Sequence, residues 1–441
     1  MFRKNKFTIS LMLTLIMCLV VGTNGSFAKS VIENKLVMND NITDKSTVME
    51  LSKTDVKLDV KDGINNLINN KAVNEPASVQ PSAIEWQHLL NYQGYDYNNS
   101  KLYENTSDGG FMMGATTGDS LIWLTKIDST GNIEWSYVYG QGNSWAVNGL
   151  SQTADNGYIV TGEINEDVFL AKFSSVGNFE WIKLFGGDKS DNGNDVIQTT
   201  GGGYFIIGTS KSYGDGHYEP LLIKTDSTGN IQWGTTLTTT TRDEFGLQTM
   251  LEPSTGNIIV RTHSTELSND QTKLLKISNT GNLIQSKIHN DIMNGIVEHM
   301  ELTSDGGFIM SGRDSEYENG EYVCKMSIAK LDSSFNSSWK KNIYVNGYDS
   351  YQDASYVSQT NDGGYAITGT ASYYDSAASK SFYDIALIKV NSSGNTEWIQ
   401  TYNISDVDYP SYVYQTSDSG YVLGGKIAPS GGSDIFIFKL N

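Results

Sequence analysis

Residues 126–135 read KIDSTGNIEW, and residues 224–233 read KTDSTGNIQW. A near-copy inside one chain marks a repeat architecture, and two blocks recur along the sequence. The first is a turn followed by an apolar run: SDGGFMMGA from Ser107, ADNGYIVTG from Ala154, TGGGYFIIG from Thr200, STGNIIVRT from Ser254, SDGGFIMSG from Ser304, NDGGYAITG from Asn361 and SDSGYVLGG from Ser417. The second begins at Lys126, Lys172, Lys224, Lys276, Lys330, Lys389 and Lys439. Nine residues after the first six of these lysines stand Trp135, Trp181, Trp233, Gln285, Trp339 and Trp398. The seventh copy stops at Asn441, yet an orphan Ile84-Glu85-Trp86 precedes the first D-G-G turn. A linear stack has no use for that displacement, whereas a closed ring does: a strand at 83–90 completes the last repeat.

The local chemistry gives four strands per unit. Alternating residues 147–153 lead into the Asp155-Asn156-Gly157 turn, where a tight hairpin requires positive φ. Residues 158–162 and 168–173 read as further strands, and an S-x-G-N turn returns the chain through 179–182. Seven such units predict an all-β, seven-bladed β-propeller of four-stranded antiparallel blades over 83–441, closed by the strand near 83–90. The repeated tryptophans are expected to pack between blades. The repeated lysines are expected to pair with turn carboxylates or carbonyls. The lapses at Gln285 and at 255–257 mark blade 4 as the least regular.

The T-x-D-G-G-Y/F and K-x-D-x-x-G-x-x-x-W blocks resemble the β-propeller repeats of secreted and cell-surface bacterial proteins. The Trp-bearing unit is similar, more distantly, to the repeats of pyrroloquinoline-quinone enzymes. Their cofactor site uses a vicinal disulfide that Cys324, the one cysteine beyond residues 1–28, cannot supply. The resemblance therefore implies a fold and an exported address, with no fixed activity.

The N-terminal segment fits that address. Arg3, Lys4 and Lys6 precede an apolar run over about 7–21 and a small-residue end at Ser26-Phe27-Ala28. Residues 1–28 thus read as a secretory signal peptide cleaved after Ala28, and its run is too short for a transmembrane segment. Residues 29–82 contain no aromatic residue and end in two prolines, which reads as a flexible polar leader or pro-segment. Loss of the signal's three positive charges takes the net charge from -19 to -22. Such acidity argues against nucleic acid or an anionic membrane as partner.

No catalytic signature appears: the five histidines are scattered, and nucleophile-elbow and phosphate-loop motifs are absent. No cofactor is expected, although the oxygen-rich loop at 186–195 could suit calcium. What stands out is an asymmetry between faces. The hairpin turns on one face are short and uniform, whereas the opposite connections are long, varied and rich in Tyr, Asp and Ser. Loops carry function on rigid scaffolds. Tyr213, His217, Tyr218, Tyr317, Tyr322, Tyr348, Tyr351, Tyr373 and Tyr374 are therefore the candidate ligand-binding residues. The expectation is a monomeric, secreted, non-enzymatic module for a glycan or protein ligand. An exported polysaccharide hydrolase or lyase with channel carboxylates is the alternative, and a structural envelope protein a third.

Overall fold

The structure, a computed structural model, describes residues 37–38, 42–45, 51, 53–55, 71–72, 83–91 and 102–441. Within the last range, 141–143, 214–215, 238–242, 265–270, 291, 294, 319–320, 349–350, 378 and 429–432 are excepted. The expected signal peptide at 1–28 lies outside the described residues, and these contain no helix.

The fold is the expected seven-bladed β-propeller, each blade an antiparallel sheet running from an inner to an outer strand. Blade 2 is representative, with strands Trp145–Gln152, Tyr158–Ile164, Asp167–Phe173 and Phe179–Gly186. Blade 7 takes three strands from the C-terminal end, Asp408–Gln415, Tyr421–Ile427 and Asp434–Leu440, and its outer strand Ile84–Leu90 from the front of the repeats. Trp86 pairs with Lys439 and Ile84 with Leu440, so the ring is closed by backbone hydrogen bonds rather than by side chains alone. Second and third strands are apolar on both faces because each blade is covered by two neighbours; residues 122–127, 168–173 and 435–440 are buried throughout.

The two repeated blocks turn out to be mating parts. Lys126, buried to 2% exposure, sends its ammonium to Asp108 of the D-G-G turn at 3.0 Å, to Glu134 of the outer strand at 3.0 Å and to the Ile127 carbonyl at 3.1 Å. The same arrangement joins Lys172 to Asp155 and Glu180, Lys330 to Asp305, Lys389 to Asp362 and Glu397, and Lys439 to Asp418 and Glu85. The second glycine of the turn makes room for it, since a methyl group on Gly110 would sit 2.6 Å from the ammonium and 2.3 Å from the Ile127 oxygen. Blade 3 lacks the carboxylate because Gly201 stands where blades 1, 2, 5, 6 and 7 carry aspartate, and blade 4, with Thr255 there, pairs Lys276 with Glu252 at 2.9 Å instead. Lys224 keeps only the Thr225 carbonyl and Gln232, and burial lowers its pKa, with Asp226 opposing.

The tryptophans pack between blades, as expected. Trp86 covers Gly131 of the next blade's S-T-G-N turn, where φ is +89° and a methyl would fall 2.4 Å from the indole. Trp135 and Trp233 add hydrogen bonds to the carbonyls of Ser175 and Asn279. At the lapse in blade 4, Gln285 reaches the Ser334 carbonyl at 2.7 Å. The next turn then carries Phe335 at φ +61°, where its counterparts carry glycine. With no indole above it, the phenyl ring occupies the space, fully buried against Phe308 with ring centroids 5.4 Å apart. Loss of the tryptophan and gain of the phenylalanine are one exchange.

Parts of the leader stretch 29–82 lie on the blade edges. Val37–Met38 pair with the outer strand of blade 3, Thr43–Asp44 with that of blade 2, Lys53–Asp55 with that of blade 1 and Lys71–Ala72 with that of blade 6. Ile42 is buried against Gly234 of blade 3. These additions give four blades a fifth strand and hide edges that would otherwise be open to pairing.

Two expectations follow from these seals. Gly201→Asp should supply Lys224 with its missing carboxylate, because a side chain at that position meets no atom within 4 Å. Denaturant unfolding should show a gain of about 1 kcal/mol. Gln285→Trp alone should overpack Phe335 and cost about 1–3 kcal/mol. Combined with Phe335→Gly, most of that loss should be recovered, which a double-mutant cycle in the same assay would reveal as non-additivity.

Candidate functional site

The connections between second and third strands, and from each outer strand to the next blade, lie on the face away from the D-G-G and S-x-G-N turns. On this face the long connections expected around Tyr317 and Tyr322, and around Tyr373 and Tyr374, are largely strand. Phe308–Glu318 pairs with Glu321–Leu331, and Tyr365–Asp375 with Lys380–Val390, giving two long hairpins that rise from blades 5 and 6. Cross-strand pairs such as Lys325 with Glu316 at 2.9 Å hold them together.

The candidate residues fall into separate groups. Tyr213 and Tyr348 are buried, at 7% and 5% exposure, and serve packing. Tyr213 belongs to the core between blades 2 and 3, and the Tyr348 hydroxyl donates to Asp384 at 2.7 Å. Tyr348 also meets Tyr373 edge-on, and Tyr373 stacks on Phe382. His217 lies 3.5 Å from Asp243 in an exposed pair, while Tyr218 sits between Lys211 and Phe245. Tyr317 and Tyr374 are exposed near the hairpin tips. Tyr322 pairs with Tyr317 in the backbone register, and its side chain lies outside the described residues.

Tyr351 alone joins a larger assembly, and its partners come from places the sequence did not single out. Its ring meets Tyr383 edge-on at 6.5 Å between centroids, and Tyr383 meets Tyr409 at 6.0 Å with a 40° tilt. Lys426 lies 5.5 Å from the Tyr409 centroid, and the Arg313 guanidinium 5.9 Å from that of Tyr351. This row of three phenol rings crosses blades 6 and 7, with a cation at each end. Tyr351 and Tyr409 are 38% and 39% exposed, and Tyr383 is half-buried.

Backbone bonds fix the row. The Tyr351 carbonyl accepts from the amide and hydroxyl of Ser372 at 3.1 and 3.0 Å, and the Tyr383 amide donates to the Asp406 carbonyl at 3.1 Å. Tyr409 and Lys426 are direct cross-strand neighbours in blade 7. Arg313 Nη1 donates to the Tyr351 hydroxyl and to Asp353 Oδ2, each at 3.1 Å. Asp353 is buried to 8% exposure, and its Oδ1 has no hydrogen-bond partner among the described residues. Burial pushes the Asp353 carboxyl up to about 7, with the Glu298 charge adding to the shift and Arg313 opposing it. Burial also works against the Arg313 charge, but Asp353, Tyr351 and Glu298 together hold its pKa above the usual value.

The inner strands present a second group of titratable side chains. Gln152, Gln198, Gln359 and Gln415 each accept a backbone amide of the preceding blade at 2.7–2.8 Å. Deeper in, His299 stacks on Tyr356 at 3.7 Å, Tyr356 meets Tyr412 edge-on at 5.3 Å, and Tyr412 stacks on Tyr103 at 5.1 Å. Beside this belt Glu301 accepts the Gln359 amide at 3.0 Å. Burial raises Glu301 to about 7 against that hydrogen bond. Glu104 is likewise raised to about 7 by burial, with the Asp195 charge adding and the Gln152 amide opposing. Among the described residues no three His, Cys, Asp or Glu side chains gather as a metal site, and the Asp191 carboxylate of the oxygen-rich loop is taken up by Ser210, Ser212 and the Gly187 amide.

No protein-family model matches the chain, and no curated protein matches it. Solved structures similar to it include a protein of unknown function from Bacteroides caccae, at 14% identity over 66% of this chain and 93% of that one, with a TM-score of 0.41. A protein from Lactobacillus plantarum shows 12% identity over 71% of this chain and 89% of that one, TM-score 0.47. A luciferin-regenerating enzyme shows 10% identity over 67% and 91%, TM-score 0.40. At such identities no activity or ligand carries over to this chain.

The raised carboxyls have a consequence for stability. Glu104 and Glu301 start from 4.5 and reach about 7 in the fold. Between those values the folded chain holds protons that the unfolded chain has released, so their contribution falls as pH rises from about 4.5 to 7 and is level above. The turn aspartates work in the opposite sense at lower pH. Partial burial pushes them upward, but hydrogen bonds from threonine and the lysine ammonium hold Asp155, Asp305 and Asp362 down to about 2. The double variant Glu104→Gln, Glu301→Gln should therefore melt higher than the parent at pH 8, with a smaller difference between pH 5 and pH 8.

Proposed function

We propose that this chain is an exported recognition module that binds its ligand, a glycan or a protein, on the elaborated face of the propeller. One observation carries the reading: the row Tyr351, Tyr383 and Tyr409 is held open to solvent by backbone bonds on the face where the connections vary, whereas the opposite face repeats one pair of turns. Aromatic rings with polar edges supply contact area at little loss of side-chain freedom and dominate recognition surfaces. The Arg313–Asp353 pair and Lys426 add oriented polar groups at both ends. Export rests on the character of residues 1–28 and on the acidic balance of the chain.

A second reading has its own support. Glu104 and Glu301 sit on inner strands with pKa values raised to about 7, the range in which a carboxyl can act as general acid at neutral pH. Each already accepts a backbone amide of the next blade, so their first role is to join blades, and recognition without turnover is the better-supported function.

The test is binding of the protein to arrays of cell-wall glycans and surface proteins, with release of reducing sugars followed on the same samples. The expected result is saturable binding without sugar release. The triple variant Tyr351→Ala, Tyr383→Ala, Tyr409→Ala should weaken it at least tenfold, while Thr130→Ala on the turn face should leave it unchanged. Sugar release abolished by Glu104→Gln would establish the hydrolytic reading instead.

A further inference from the structure

Resting on that recognition role, we infer that Tyr351, Tyr383 and Tyr409 form a linear subsite for an uncharged oligosaccharide, anchored at the Arg313–Asp353 pair. The shape of the row argues for an extended ligand. Three rings succeed one another at 6.5 and 6.0 Å across two blades, a run of contacts that an extended ligand can follow from ring to ring. The rings are inclined by 74° and 40° rather than coplanar, which suits a chain whose successive units turn relative to one another.

Charge decides against an anionic chain. The nearby cations are already engaged: Arg313 with Asp353 at 3.1 Å, Lys380 with Asp406, and Lys426 beside the Tyr409 ring. Glu298 adds a further negative charge near Arg313. An acidic saccharide would approach Asp353, Glu298 and Asp406 with no unengaged cation in this group, on a chain of net charge -19.

Asp353 decides against a purely apolar ligand. Its side chain is buried beneath the start of the row, Oδ2 is held by Arg313, and Oδ1 has no partner among the described residues. That oxygen is already shielded from solvent, so the polar groups a ligand meets at this end are the Tyr351 hydroxyl and the Arg313 guanidinium that Asp353 holds in place, and hydrocarbon laid over them would cover both without a partner. A sugar hydroxyl would pair with these groups while the C–H face of the same ring lies on Tyr351. Neutral, hydroxyl-rich and extended is the chemistry of an oligosaccharide.

The experiment is calorimetric titration of the full chain with neutral hexasaccharides of glucose, xylose, mannose and N-acetylglucosamine, and with polygalacturonate as the anionic comparison. A neutral hexasaccharide should bind, and Tyr351→Ala and Tyr409→Ala should each weaken it about tenfold or more, equivalent to about 1.4 kcal/mol. Tyr351→Phe and Tyr409→Phe keep the rings and should stay within about threefold of the parent, with unchanged melting temperatures as the folding control. Asp353→Asn keeps an acceptor and should bind, whereas Asp353→Leu should not. Tighter binding of polygalacturonate, or binding of protein alone through the same tyrosines, would overturn the ligand class and leave the recognition role standing. Saccharide binding lost in Tyr218→Ala but retained in the row variants would overturn the site. Silence toward every saccharide and protein would overturn the recognition role itself.

Discussion

A buried ammonium group holds each blade's turns together. Burying a lysine in an apolar sheet is unfavourable unless its charge is met, and here the turn aspartate, the outer-strand glutamate and a carbonyl meet it within about 3 Å. That single contact ties the first hairpin to the third strand and the fourth strand to both. It also dictates composition. Where the turn receives the charge it carries aspartate, with glycine to let the ammonium pass, so in blades 1, 2, 5, 6 and 7 the turn aspartate and the distant lysine are written together, while in blade 4 Glu252 takes the place of the aspartate. Blade 3, which lost the aspartate, shows what the contact does, because there burial is left to lower the lysine pKa.

Between blades the corresponding constraint is volume. An indole from one outer strand lies on a glycine of the next blade's turn, and neither residue can change without the other. The exchange at Gln285 and Phe335 meets that constraint the other way round, with the large side chain moved from the strand to the turn. Blade 4 therefore keeps its place in the ring while departing from the code. Its inner strand follows the same logic: Leu251 stands where blades 2, 3, 6 and 7 carry the glutamine that accepts the preceding blade's amide, and Gln248 instead bonds the Met300 backbone of blade 5 in both directions.

These two constraints explain why the fold was legible. A contact made in five blades, with the lysine kept in all seven, writes itself along the chain, and the displaced Trp86 at the front identifies the closing strand because the ring needs one outer strand from elsewhere. The site is legible only in part. Tyr351 stood in a long connection and could be singled out, but Tyr383 and Tyr409 lie at strand beginnings in ordinary repeat positions. Only the packing of successive blades brings residues 32 and 58 positions further on against it. Tyr213 and Tyr348 looked the same in sequence yet are buried, because each connection turns its ring into the core shared by two neighbouring blades. The two long hairpins were read as loops since their charged residues mask the alternation; Lys325 with Glu316 satisfies the charges across the strands instead.

The standardised face and its seals make the scaffold, and the proposed ligand is assigned to the irregular face. Tyrosine resonances assigned in a ring-labelled sample test that division most directly, since the tyrosines among the described residues are divided between core, inner strands and face. On addition of a neutral hexasaccharide, shifts should concentrate at Tyr351, Tyr383 and Tyr409 and leave the core rings of Tyr158, Tyr204 and Tyr365 in place. Shifts centred on Tyr356 and Tyr412 at the inner strands, with the row unmoved, would contradict the account and place the ligand in the channel.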